Sequence, residues 1–145
     1  MEHIELSVQI KAPAELVWNR ITDWPSQSEW MLGTIVTGTA NSVGGKFKAF
    51  TGIGPIGFID TMEITRWDPP FRCDVLHTGK VVKGTGSFQV EKIDSKTSKF
   101  IWIEDLVIPL GLIGLIGFKI LRPFFVAGVK QSLNKFAKSV SDFAK

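Results

Sequence analysis

Two residues of this 145-residue chain carry side chains that could move protons inside an apolar setting, His77 and Glu104. Each lies in a run that alternates apolar and polar residues. In 71–78, Cys73, Val75 and His77 share a face; in 99–107, Phe100, Trp102 and Glu104 do. Successive strand side chains point to opposite faces, so inward-facing runs would carry the imidazole and the carboxylate into the interior. Loss of water there shifts proton equilibria, which makes each a candidate acid or base. A single bulge would reverse that parity. Solvent exposure, or pairing with Arg66 or Arg72, would leave either group structural. No catalytic residue is assigned, and His77 and Glu104 are the two candidates.

Other chemistries find less support. Gly52-Ile53-Gly54-Pro55-Ile56-Gly57 fits G-x-G-x-x-G, but Pro55 removes an amide, and a strand follows where a nucleotide site needs a helix. The segment reads as a flexible hairpin tip that could gate a cavity mouth. His3, His77 and Cys73 lack metal-ligand spacing, so no metal site is expected. No G-x-S-x-G elbow is present. No cofactor is implied. No strand combines exposed aromatics with Lys or Arg as stacking platforms, which argues against nucleic acid as a partner.

The elements that must position these residues follow from periodicity. Residues 3–11 alternate as a half-buried strand, and Pro13 opens a helix to about Ile21. A second short helix is expected from Ser26 to Met31, capped by Ser26. Strands follow at about 34–40, 46–52, 56–67, 71–78, 84–93 and 99–107, separated by Gly-, Pro- and Asp-rich turns short enough for antiparallel hairpins. Gly84 and Gly86 predict a bulge or strong bend where the sheet curls. Val126, Val129, Leu133, Phe136, Val140 and Phe143 then recur at steps of 3 and 4, the stripe of an α-helix. From Pro123 to Ala144 that helix would be roughly 33 Å long. Pro123 predicts a kink or a fresh start near Arg122. The segment 112–125, with almost no polar side, reads as a mobile lid that could also dip into a bilayer, with Lys119 and Arg122 meeting anionic headgroups.

Eleven Phe and five Trp without any Tyr supply apolar surface with few hydroxyls. The lone Cys73 and an N-terminus without a basic or apolar leader point to a cytoplasmic protein. The uncharged run Leu106 to Phe118 is shorter than the ~18 residues of a membrane span. Residues 110–145 carry six basic residues and one acid, net +5, against a net of −2 before them. That imbalance fits either a solvated helix face or contact with an anionic surface.

Several stretches, in order, resemble the START-like, Bet v 1-like superfamily and its polyketide cyclase/dehydrase and lipid-transport (SRPBCC) branch. They are Ile10-Lys11-Ala12-Pro13-Ala14-Glu15-Leu16-Val17-Trp18, then Ile21-Thr22-Asp23-Trp24 with Trp30, Gly45-Lys46-Phe47 and Ile64 to Arg72. Gly84-Thr85-Gly86-Ser87-Phe88 and Phe100 to Leu106 complete the set. The resemblance covers nearly the whole chain and transfers no catalytic residue. It implies a single-domain α+β helix-grip fold: a curved seven-stranded antiparallel sheet around a long C-terminal helix, with two short helices after the first strand and a hydrophobic cavity between sheet and helix. The expected cavity residues are Trp30, Phe58, Val75, His77, Phe88, Trp102, Val129, Leu133 and Phe136, with Phe124 and Phe125 at the mouth. The expected function is noncatalytic binding of a hydrophobic small molecule or lipid. The alternatives are a polyketide cyclase or aromatase using a buried His or Glu, and a membrane- or protein-interaction module using the basic helix.

Overall fold

Period-two alternation produces seven strands, and the two apolar segments of period 3.6 produce helices. The computed structural model describes residues 1–145. Its elements are β1 (Glu2–Ile10), α1 (Ala14–Ile21), a 3₁₀ helix (Trp24–Glu29), β2 (Thr34–Thr37), β3 (Lys46–Ile53), β4 (Ile56–Asp68), β5 (Arg72–His77), β6 (Gly84–Asp94), β7 (Thr97–Leu106) and α2 (Gly111–Ala144). The sheet order is β1-β7-β6-β5-β4-β3-β2, with all neighbours antiparallel. Chain neighbours from β2 to β7 are sheet neighbours, and β1 closes onto β7. The seven strands curl around α2, which gives the expected helix-grip fold.

One end of this arrangement is filled by aromatic rings. Trp24 stacks on Phe47 with centroids 4.2 Å apart and donates its Nε1–H to the Ala40 carbonyl at 2.7 Å. Trp18 meets Trp67 edge-on at 5.0 Å. The α2 stripe Val129, Leu133, Phe136 and Val140 is buried against this layer. Phe136 lies 4.7 Å from Trp30 and 5.7 Å from Phe100, centroid to centroid. Such rings bury large areas and add a preference for offset or edge contacts. The stripe runs out at Phe143, which is exposed and has the Arg20 guanidinium over its ring at 5.4 Å.

Four local expectations are corrected. The helix expected at Ser26–Met31 begins two residues earlier, as a 3₁₀ helix with Pro25 in its first turn, where a missing amide costs no hydrogen bond. The strand expected over 34–40 stops at Thr37, since Gly38 takes φ +137°. Pro123 does not divide the terminal helix, which is continuous from Gly111 to Ala144. The acceptor that loses its amide partner belongs to Lys119. Both residues are exposed, so the freed carbonyl is not stranded in a core. Gly84 and Gly86 do not mark a bulge. Their ladders to β5 and β7 are regular, and the register shifts lie at Ile64/Arg66 and Lys92/Asp94.

Phe136→Ala is expected to cost about 3–5 kcal/mol in urea unfolding, because it empties the centre of the aromatic layer. Ile113→Ala, on the exposed half of α2, should stay within about 0.5 kcal/mol.

Candidate functional site

Where the aromatic filling stops, the sheet and α2 diverge and leave a cavity of about 420 Å³. Each strand from β2 to β7 contributes its inward face. β2 gives Thr34 and Val36, β3 gives Phe47, Ala49 and Thr51, and β4 gives Phe58, Asp60 and Met62. His77 comes from β5, Phe88 from β6, and Trp102, Glu104 and Leu106 from β7. The α2 wall is Phe118, Phe124, Phe125, Gly128, Val129 and Ser132, and Met31 and Leu32 close the side. The mouth is open at the exposed Leu32, Phe58, Phe124 and Phe125.

The structure thus places Phe58, His77, Phe88, Trp102, Phe124, Phe125, Val129 and Glu104 on the cavity wall. It does not place Trp30, Val75, Leu133 or Phe136 there. Leu133 and Phe136 lie on the α2 face turned into the aromatic layer, and Trp30 packs on Phe136. The cavity-facing row of α2 is rotated from that face, through Phe125, Gly128, Val129 and Ser132. Val75 shares the inward face of β5 with His77 but is buried opposite Ile64 and Gly86.

The polar part of the wall is one connected group. The His77 ring spans two carboxylates: Nδ1 donates to Asp60, 2.9 Å from either oxygen, and Nε2 donates to Glu104 Oε2 at 2.8 Å. The His77 side chain is only 4% exposed, and those of Asp60 and Glu104 are 13% and 10%. Glu104 Oε1 accepts no hydrogen bond from the protein.

His77 and Glu104 stand on strands two places apart, with β6 between them. Neighbouring strands are about 4.8 Å apart, so side chains two strands away meet only if nothing stands between. Gly86 is that gap. It pairs with Val75 on one side and Glu104 on the other. A Cβ built on it would lie 3.0 Å and 3.1 Å from the two Glu104 carboxylate oxygens and 3.1 Å from the Val75 side chain. Gly84, opposite His77, takes φ +123° and its Cβ position is blocked by the Asp105 carbonyl. The glycine pair, which carries no bulge, lets β5 and β7 join across β6.

Burial alone would lower the proton affinity of His77, but hydrogen bonds and charge from Asp60 and Glu104 outweigh it and raise the pKa to about 10. At neutral pH the ring is an imidazolium with both N–H groups donated, so it offers no free basic nitrogen. Burial pushes Glu104 above the usual carboxylate range, against the opposing pull of His77. Asp60 escapes sequence reading because its link to His77 depends on the β4–β5 register. Only Met62↔His77 pairing brings a residue two positions earlier within reach.

The family described as polyketide cyclase/dehydrase and lipid transport matches residues 1–141. The chain belongs to that family. Solved structures show the same fold. The Zhui aromatase/cyclase from Streptomyces sp. R1128 superposes with TM-score 0.80 at 16% identity, covering 99% of this chain and 96% of its own. The protein TTHA0849 from Thermus thermophilus gives 0.79 at 11%, covering 99% and 100%. A conserved protein from Geobacillus kaustophilus gives 0.76 at 18%, covering 99% and 98%. No curated protein matches the sequence. Across this polyketide cyclase/dehydrase and lipid transport fold the backbone is shared at low identity, so the wall chemistry has to be read from this chain's own residues.

His77→Ala should destabilise the fold by about 3 kcal/mol, since it leaves two carboxylates facing each other in an apolar wall. The pH course gives the sign. The folded-state pKa of His77 is raised, so its stabilisation is complete below the unfolded value of 6.5 and is lost as pH climbs through about 10. Chemical denaturation between pH 6 and 10 should show wild-type stability falling. Gly86→Val should cost about 1–3 kcal/mol by pushing Glu104 off the imidazole. Proton NMR of the His77 ring would report that loss as a lower pKa.

Proposed function

We propose that the protein binds a hydrophobic small molecule or lipid in this cavity, with a hydrogen-bond-donating end of the ligand against Asp60, His77 and Glu104. One observation carries the reading: the only charged groups on a mostly apolar wall are joined, and the joined group still presents a free acceptor at Glu104 Oε1. The volume of about 420 Å³ lies within the usual range for small-molecule sites. Apolar contact supplies affinity at roughly 25 cal/mol per Å² before ordering costs.

The polar end sets the preference. One imidazole ring between two carboxyl groups leaves the group with a surplus of acceptors. A hydroxyl, phenol or amine satisfies that surplus. An ionised fatty-acid head brings only more acceptors to a wall that already has them in surplus, and leaves its own charge without a donor. Membership in a polyketide cyclase/dehydrase and lipid transport family accords with a hydrophobic ligand.

A second reading, a cyclase- or aromatase-like reaction, is favoured by the raised proton affinity of Glu104. There Glu104 would be the proton donor to a ligand carbonyl, and His77 would hold it in place rather than act as the base.

Displacement of a fluorescent apolar probe by chain-matched amphiphiles tests the first reading. A long-chain alcohol or alkylphenol should displace the probe at least tenfold better than the matching carboxylate at pH 7. Glu104→Gln should narrow that ratio. Equal displacement by the carboxylate would overturn the polar preference, and no displacement by any amphiphile would overturn the cavity as a binding site. Turnover of a polyketide-like substrate that Glu104→Gln abolishes, with binding retained, would select the second reading.

A further inference from the structure

The N-terminal half of α2 is apolar on the side turned away from the domain. Ile113, Ile116, Ile120 and Phe124 recur at steps of 3, 4 and 4, with Leu112 and Leu121 beside them, and all six are exposed, five of them by more than 60%. A folded chain rarely leaves so long an apolar stripe in water unless something covers it. The β3–β4 hairpin carries two further exposed residues, Ile53 and Ile56, at its Gly54–Pro55 tip. Thr51 and Phe58 of that hairpin and Phe124 of α2 border the same cavity mouth.

Charge distinguishes what covers the stripe. Lys119 borders it, Arg122 turns back to donate to the His3 carbonyl of β1 at 3.1 Å, and no Asp or Glu occurs between Asp105 and Asp142. A second copy docked on this face would bring Lys119 against a helix that has no acid between Gly111 and Ser141 to pair it. An anionic lipid surface matches both parts at once: acyl chains take the Ile and Phe side chains, and headgroups take Lys119 at the edge of the stripe.

The same helix is long and apolar enough, by length and composition, to cross a bilayer. That widens the expectation drawn from Leu106 to Phe118, since the helix continues past Lys119. Crossing conflicts with the fold, however. Val129 to Val140 are committed to the core. The remaining turns from Gly111 to Gly128 reach about 27 Å at 1.5 Å per residue, short of the ~30 Å hydrocarbon layer, and they hold two charges near their middle.

We propose that the exposed face of α2 from Leu112 to Phe124, together with the hairpin tip at Ile53 and Ile56, docks on the surface of an anionic membrane. The helix lies in the interface plane with the cavity mouth beside it. Docking does not depend on the identity of any cavity ligand.

Flotation of the full chain with vesicles of phosphatidylcholine, alone or mixed with phosphatidylglycerol, tests this. The chain should float with the mixed vesicles at low salt, be released at high salt, and be extracted by alkaline carbonate. Lys119→Glu should weaken partitioning roughly fivefold or more, the equivalent of about 1 kcal/mol per basic residue lost. Ile113→Ser/Ile120→Ser should weaken it at least tenfold while the melting transition is unchanged, since neither side chain is in the core or on the cavity wall. Failure to float with either vesicle, undiminished flotation of the double variant, or resistance to carbonate would overturn the proposal. So would a dimer in light scattering that the double variant dissolves without any vesicle binding.

Discussion

The molecule depends on the burial of one helical face in a bed of aromatic rings. Val129, Leu133, Phe136 and Val140 meet Trp30, Phe100 and the layer around Trp24, and this contact fixes where α2 sits relative to the sheet. The contact occupies only the C-terminal half of the helix. A rigid rod pinned at one end cannot follow a sheet that curls away, so the gap opens beyond Val129. The cavity therefore follows from where the large rings stop.

Inside that gap, a second constraint organises the polar atoms. An imidazole and two carboxylates brought into an apolar wall are tolerable only as a unit, because each alone would lose its water without compensation. Joining β4, β5 and β7 through one ring requires that β6 offer no side chain at the crossing point. Gly86 meets that requirement, and the register is regular on both sides of it, so no residue is inserted to do so.

Much of the fold was readable from residue order alone, since periods of 2 and 3.6 report which faces are buried whatever the tertiary arrangement. Alternation groups His77 with Cys73 and Val75, and Glu104 with Phe100 and Trp102, but which face turns inward is decided only by how the sheet packs. Asp60 was not legible, because its role exists only through register with another strand. Trp30, Leu133 and Phe136 could not be told from cavity residues, since a filled interior and an empty one use the same apolar side chains. Gly84 and Gly86 carried a signal that admits two meanings, a bend or a clearance, and only the pairing across β6 separates them. Pro123 signals a break by its clash with the preceding turn, whereas its exposure makes the lost amide tolerable.

The division of α2 into a packed half and a free half has an evolutionary consequence. Substitutions from Val129 onward are policed by folding itself, so that stretch can drift little. Those at Leu112, Ile113, Ile116, Ile120 and Leu121, whose side chains are exposed, cost the fold little. Related chains can keep the anchored half and exchange the other, adapting one scaffold to different cellular neighbours without rebuilding it.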